Sequence, residues 1–154
     1  MKKTKVKNTV NIKNRKASYE YEFLEEIDAG IKLVGSEVKS IRSGKVSISE
    51  AYCYIQAGEV YITGMHVAEY KESGRSNHEP YRLRKILLTK KQIKKFESEL
   101  KVKGRTIVPI RLFTNDRGML KLKIALCKGK KTYDKKTAIK ERDIKRDMDR
   151  EING

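Results

Sequence analysis

From Tyr19 onward, apolar and polar residues alternate in short runs. In YEYEF, Tyr19, Tyr21 and Phe23 share one face and Glu20 and Glu22 the other, the period-two pattern of a half-buried strand. GIKLVG predicts a second strand, with Gly30 and Gly35 at its bends. SEVKSIRSG then switches to helical spacing: Ser36 is placed to cap, Val38 and Ile41 fall on one face, Lys39 and Arg42 on the other, and Gly44 ends the helix. VSISEAYCYIQAGEVYITGMHV predicts a hairpin turning at Ala57-Gly58, with Tyr52, Tyr54 and Tyr61 at strand spacing. YKESGRSNHEPYR is polar and broken by Gly and Pro, so it reads as a loop with His78 solvated in it. TKKQIKKFESELKVKG is a helix whose Thr89 and Gln92 form a capping box; Ile93, Phe96 and Leu100 make its apolar stripe, and Gly104 stops it. Two more alternating runs, RTIVPIRLF and MLKLKIALC, are joined by the turn TNDRG, and Pro109 demands an edge position or a bulge.

Five to seven short strands, interrupted by helices too short for regular βαβ units, predict a mainly β protein. The expected architecture is a small closed OB-fold-like barrel with two or three short helices. After Cys127 the alternation stops. TAIKERDIKRDMDREING carries only a thin stripe of Ile144, Met148 and Ile152, marginal as an isolated helix. It reads as a basic C-terminal tail that becomes helical on its target. The chain thus divides into a basic flexible arm (1–13), a barrel (14–127) and a tail (128–154).

Charge narrows the class of partner. The 154 residues carry a net charge of +17, and residues 1–16 contain seven basic and no acidic side chains. A field of this sign favours a polyanion, because each neutralised phosphate releases counterions. No run approaches the roughly 18 apolar residues of a spanning helix. The basic N-terminus lacks the apolar core of a signal peptide, so a cytoplasmic protein with no membrane partner is expected. Cys53 and Cys127 fall in strand-like runs and fit reduced, buried thiols; with two histidines at 66 and 78 they show no zinc-site spacing. GKKT, Gly129 to Thr132, lacks the upstream glycine and the closing Gly-Lys-Ser/Thr of a phosphate loop, and no nucleophile elbow or metalloprotease motif occurs. The expectation is a non-enzymatic protein without cofactor or metal, with His66 structural or RNA-facing.

NRKASYEYEFLEEIDAGIKLVGSEVKSIRSGKVSISEAY, GMHVAEY, RKILL and KGKKTYDKKTAIKERD, in that order, resemble the SsrA-binding protein family, also called small protein B, of bacterial trans-translation. The resemblance runs from Asn14 to about Asp143. It implies an OB-fold barrel with added helices and no catalytic activity. It also implies binding to the tRNA-like domain of transfer-messenger RNA, delivery to stalled ribosomes, and a tail in the empty messenger channel near the decoding centre. By the family's motifs, Asn14, Arg15, Lys16, Asp28, Gly30, Glu37, Lys39, Ser40, Arg42, Gly44, Lys45, Arg84, Lys85 and Leu87 are placed at this RNA, with His66 beside them. At the ribosome it places Lys128, Gly129, Lys130, Lys131, Tyr133, Asp134, Lys135 and Lys136, followed by the Ile144, Met148, Ile152 stripe. Tyr133 is expected to stack on a base, a contact worth roughly 1 to 3 kcal/mol. Small-subunit RNA, elongation factor Tu in the same complex and a monomeric state complete the implied picture. A general single-strand-binding OB protein, or a ribosome-associated component, is the alternative.

Overall fold

The structure is a computed structural model and describes residues 9–130. Six antiparallel strands close on themselves. They are β2 (Tyr21–Ile31), β4 (Tyr52–Gln56), β5 (Glu59–Thr63), β7 (Arg84–Leu87), β8 (Arg105–Thr114) and β9 (Leu120–Gly129). The order β8-β4-β5-β7-β2-β9 is sealed by the β8–β9 pairing, which leaves this ring no free edge. A short strand, β1 (Asn11–Lys13), is added outside β8, and β3 (Val46–Ser47) pairs with β6 (His66–Val67) in a separate ribbon.

Period-two alternation decides what fills the ring. Ala29 and Ile31 of β2, Val60 and Ile62 of β5, Ile86 of β7, and Leu122, Ile124 and Leu126 of β9 all point into one buried core. Two helices add to it. Ile41 enters from α2 (Gly35–Arg42), and Phe96, fully buried, from α3 (Lys90–Glu99), with Ile93 and Leu100 alongside. The Thr89 hydroxyl accepts the Gln92 N–H and the Gln92 side chain accepts the Thr89 N–H, so the capping box forms as the sequence predicts.

A second, smaller core lies on the opposite face of β8 and β9. There Ala17 of α1 (Arg15–Glu20) covers Val108, Ala125 and Cys127, with Tyr21, Phe23 and Ile110 at the margin. Burial of the thiols raises both cysteine pKa values, that of Cys127 to about 11, so they remain protonated at neutral pH.

The structure differs from these expectations at several points. Tyr19 belongs to α1, and what reads as two strands is the single eleven-residue β2, with a bulge between Phe23 and Glu25. Ser36 lies inside α2; the N-cap is Val34, whose N–H is taken by the Glu37 carboxylate at 2.9 Å. His78 is buried: its Nδ1 meets the Ser36 hydroxyl at 2.8 Å and its Nε2 the Val67 carbonyl at 2.9 Å. Residues 11–13, placed in the arm by the sequence, form a strand, and β9 carries two residues past Cys127. The hairpin turn at Ala57-Gly58 stands, both residues having positive φ (52° and 76°). So does the irregularity at Pro109, where the β8–β9 register shifts before Arg111.

Candidate nucleic-acid interface

Closure of the barrel lines up outward side chains that are far apart in sequence. One cross-strand row runs Lys13, Arg111, Lys123, Asp28; the next runs Asn11, Phe113, Lys121, Gly30, Leu87. The residues between them, Leu112, Leu122 and Ala29, point into the core, so both rows face outward. Four cations and one carboxylate thus share one wall. Asp28 sits 3.7 Å from the Lys123 ammonium. The Arg111 guanidinium lies 4.5 Å over the Phe113 ring while its Nε donates to Asn11 Oδ1 at 2.7 Å. Gly30 has a packing reason: a Cβ there would stand 3.2 Å from Leu87 Cβ, so its absence lets the half-exposed Leu87 lie against the strand. A cavity of about 320 Å³ borders the rows, lined in part by Lys13, Arg15, Phe23, Arg111 and Lys123. The wall offers ammonium and guanidinium donors for phosphates, an aromatic-guanidinium pair for stacking, and one exposed leucine for apolar contact. Lys13, Arg111, Phe113, Lys121 and Lys123 were not singled out from sequence. Their only local mark is alternation, as in LKLKI, and the row exists only once strand pairing is known.

The helix motif splits by side. Lys39, Arg42 and Lys45 are exposed, with Lys39 5.7 Å from the centre of the Tyr70 ring and Arg42 Nη2 donating to the Gly118 carbonyl at 3.3 Å. Gly44 follows α2 with φ +79°, a left-handed cap that glycine adopts without strain. Glu37 and Ser40 turn inward and are fully buried. The Glu37 carboxylate takes Arg84 Nε at 2.5 Å and Arg82 Nη2 at 2.6 Å, while Arg84, also fully buried, donates on to the carbonyls of Met65 (2.8 Å) and Pro80 (3.1 Å). Ser40 donates to the Ala68 carbonyl at 2.6 Å. Burial alone would raise the Glu37 pKa; the Arg82 bond, the Val34 N–H and the Arg84 charge outweigh it and hold the carboxyl below its ordinary value. Glu37, Ser40 and Arg84, placed at the RNA by the resemblance, tie α2 and the 70–82 loop to the barrel with side chains that are fully buried in this structure.

Asn14 also makes bonds inside the fold. It is buried, with Nδ2 donating to the carbonyls of Pro109 (2.8 Å) and Ile48 (3.2 Å) and Oδ1 accepting the Ala17 N–H that starts α1. It thereby aims its exposed neighbours: Arg15, and Lys16, which bonds Glu50 and lies 3.8 Å from Glu20. Lys85 is outward on β7, two residues from Leu87, and pairs with Glu59 at 2.6 Å. Half-buried His66 packs against the exposed Tyr81 ring, centroids 4.9 Å apart and planes tilted by 60°.

At the far end of β9, Lys128 approaches Glu22 at 3.8 Å and Gly129 closes the strand. Lys130 is fastened to α1, its N–H on the Glu20 carbonyl and its ammonium on the Ser18 carbonyl, both at 3.1 Å. Lys131, Tyr133, Asp134, Lys135, Lys136, Ile144, Met148 and Ile152 lie outside the described residues. Within the described residues no helix is long and apolar enough to cross a membrane.

The chain is similar to known proteins in sequence and in fold. A family model described as SmpB protein matches residues 11–154. The chain is 53% identical over 145 residues to the SsrA-binding protein of Cytophaga hutchinsonii, covering 94% of both. It is 50% identical over 145 residues to that of Christiangramia forsetii, covering 94% of this chain and 92% of the relative. A solved chain described as "tmRNA-SmpB: a journey to the center of the bacterial ribosome" superposes with a TM-score of 0.68 at 37% identity, over 84% of this chain and 94% of that one. With the model spanning nearly the whole chain and relatives at half identity, the chain belongs to the SmpB protein family.

Proposed function

We propose that the protein is a non-enzymatic adaptor that binds the tRNA-like domain of transfer-messenger RNA and delivers it to stalled ribosomes for trans-translation. The observation that carries this reading is the pair of outward rows on β1, β8, β9 and β2, where four cations converge with Phe113 and Leu87. A folded RNA with splayed loops is recognised through phosphates, shape and stacking, the three contacts this wall offers. Arg15, Lys16, Lys39, Arg42, Lys45 and Lys85 extend the basic surface, and Asp28 orients Lys123. Asn14, Glu37, Ser40 and Arg84 hold those elements in place. His66 supports the Tyr81 ring. The tail from Lys128 onward, with Lys130, Lys131, Lys135 and Lys136 on ribosomal RNA phosphates and Tyr133 stacked on a base, reads the empty messenger channel. The protein works as a monomer in the cytoplasm, in one complex with elongation factor Tu.

The test separates the two ends of the chain. Deleting the residues after Lys136 leaves affinity for the tRNA-like domain unchanged and abolishes peptide tagging on stalled ribosomes; Tyr133→Ala damages tagging more than RNA binding. Normal tagging by the truncated protein refutes the tail mechanism. The Arg111–Phe113 pair also suits unpaired bases in general, and a protein that binds unrelated single strands as tightly as the tRNA-like domain is the general OB-type binder instead.

A further inference from the structure

Between the C-terminal end of α2 and the β8–β9 turn lies a cavity of about 420 Å³, lined in part by Thr9, Arg42, Asn115, Asp116, Arg117 and Gly118. This is within the size range of small-molecule sites. Its frame is fixed by the backbone. Asn115 Oδ1 accepts the N–H groups of Arg117 (3.0 Å) and Met119 (2.9 Å), the Gly118 N–H returns to the Asn115 carbonyl at 2.9 Å, and Gly118 has φ +79°. Arg42, which lines the cavity, reaches across to the turn and spends one N–H on the Gly118 carbonyl at 3.3 Å. Neither the Arg117 guanidinium nor the Asp116 carboxylate has a side-chain partner among the described residues.

Two guanidiniums and one carboxylate in one small space ask for a ligand that is both anion and donor. A nucleotide is such a ligand. Its phosphate accepts the planar forks of Arg42 and Arg117. A carboxylate only accepts, and guanine is the base whose Watson–Crick edge presents two adjacent donors, N1–H and the 2-amino group, whereas cytosine offers one. The cavity also adjoins the basic wall, because the turn that frames it continues directly from Thr114 and Leu120, the pair next to Phe113 and Lys121.

We propose that this cavity receives one splayed guanosine of the bound RNA, with its phosphate on Arg42 and Arg117 and its base edge on Asp116. The proposal rests on the RNA-binding reading and adds a base-specific contact to it. The test measures binding of the full chain to the tRNA-like domain, and to a set of the same RNA in which each unpaired guanosine in turn is replaced by inosine, which lacks the 2-amino group. Arg117→Ala and Asp116→Asn each lower affinity about tenfold on the unmodified RNA, and for one inosine position the Asp116→Asn penalty disappears. Both substitutions fall in an exposed turn, and unchanged thermal melting of the variants certifies the fold. Unchanged or tighter binding by Asp116→Asn overturns the proposal, as does a penalty equal across all inosine positions. Lys123→Ala, which lies on the wall and outside the cavity, tells the two readings apart. If it weakens binding while the turn variants do not, the cavity assignment falls and the RNA-binding wall stands. If the wild type shows no preference for the tRNA-like domain over unrelated single strands, the wider reading falls with it.

Discussion

Arg84 carries its charge into the barrel wall and meets Glu37 there, and its remaining N–H groups go to the carbonyls of Met65 and Pro80. Removing one partner of such a pair strands the other charge in a poorly solvated site, so Arg84→Met should cost about 3–5 kcal/mol in urea unfolding. The pH dependence follows from Glu37. Its folded pKa is held below the ordinary value near 4.5, so its contribution is full above that value and fades as pH falls through the lower folded one. The urea midpoint should therefore hold from pH 7 to about 5 and drop below it, and a Glu37→Gln protein should lose that part of the acid sensitivity. A midpoint that rises on acidification contradicts this. The inward direction of Arg84 was legible: in RKIL it shares the parity of Ile86, a core residue, while Lys85 and Leu87 share the other. Charge alone argued for the surface, and a buried arginine with a satisfied fork is the rarer case that parity would have caught.

At the scale of the element, α1 depends on Asn14. Its six residues are too few to persist by propensity, and Asn14 supplies both the cap and two bonds to neighbouring carbonyls. Asn14→Ala removes the cap and the bonds to Pro109 and Ile48, of which the Ile48 carbonyl keeps the Ala51 N–H, and should cost roughly 1–3 kcal/mol of stability, seen as a lower melting temperature. It should also weaken binding to the tRNA-like domain, because Arg15 and Lys16 lose their fixed bearing; full affinity in a destabilised variant would detach α1 from the interface. The same shortness explains why YEYEF reads as a strand. Its alternation belongs to β2 and runs one residue pair too early, and what bends Tyr19 into a helix is the packing of Ala17 on Val108, Ala125 and Cys127, distant in sequence. The hairpin at Ala57-Gly58 and the Thr89 cap were readable because the residues that decide them are adjacent.

At the scale of the whole molecule, the basic wall is a product of ring closure, which no window of sequence displays. Lys121 and Lys123 come from one strand, Arg111 and Phe113 from another, and Lys13 from a segment that reads as an arm. If these cations contact phosphates, each removal subtracts a counterion-release step. Lys121→Ala and Lys123→Ala should each lower the slope of log affinity against log salt by about one, with similar losses on any RNA sequence. Unchanged slopes would move the phosphate contacts off this wall. One strand joins that wall to the tail: β9 starts at Leu120, next to Lys121, and ends at Gly129, and Lys130 is pinned to the carbonyls of α1. Because a strand rises about 3.3 Å per residue, the nine steps from Lys121 to Lys130 fix a separation of about 30 Å. Since β9 is hydrogen-bonded on both sides, that length cannot stretch or slip without opening the barrel. It acts as a gauge: the distance between the RNA held on the wall and the place where the tail sets out is written into the strand, and partners at both ends must match it.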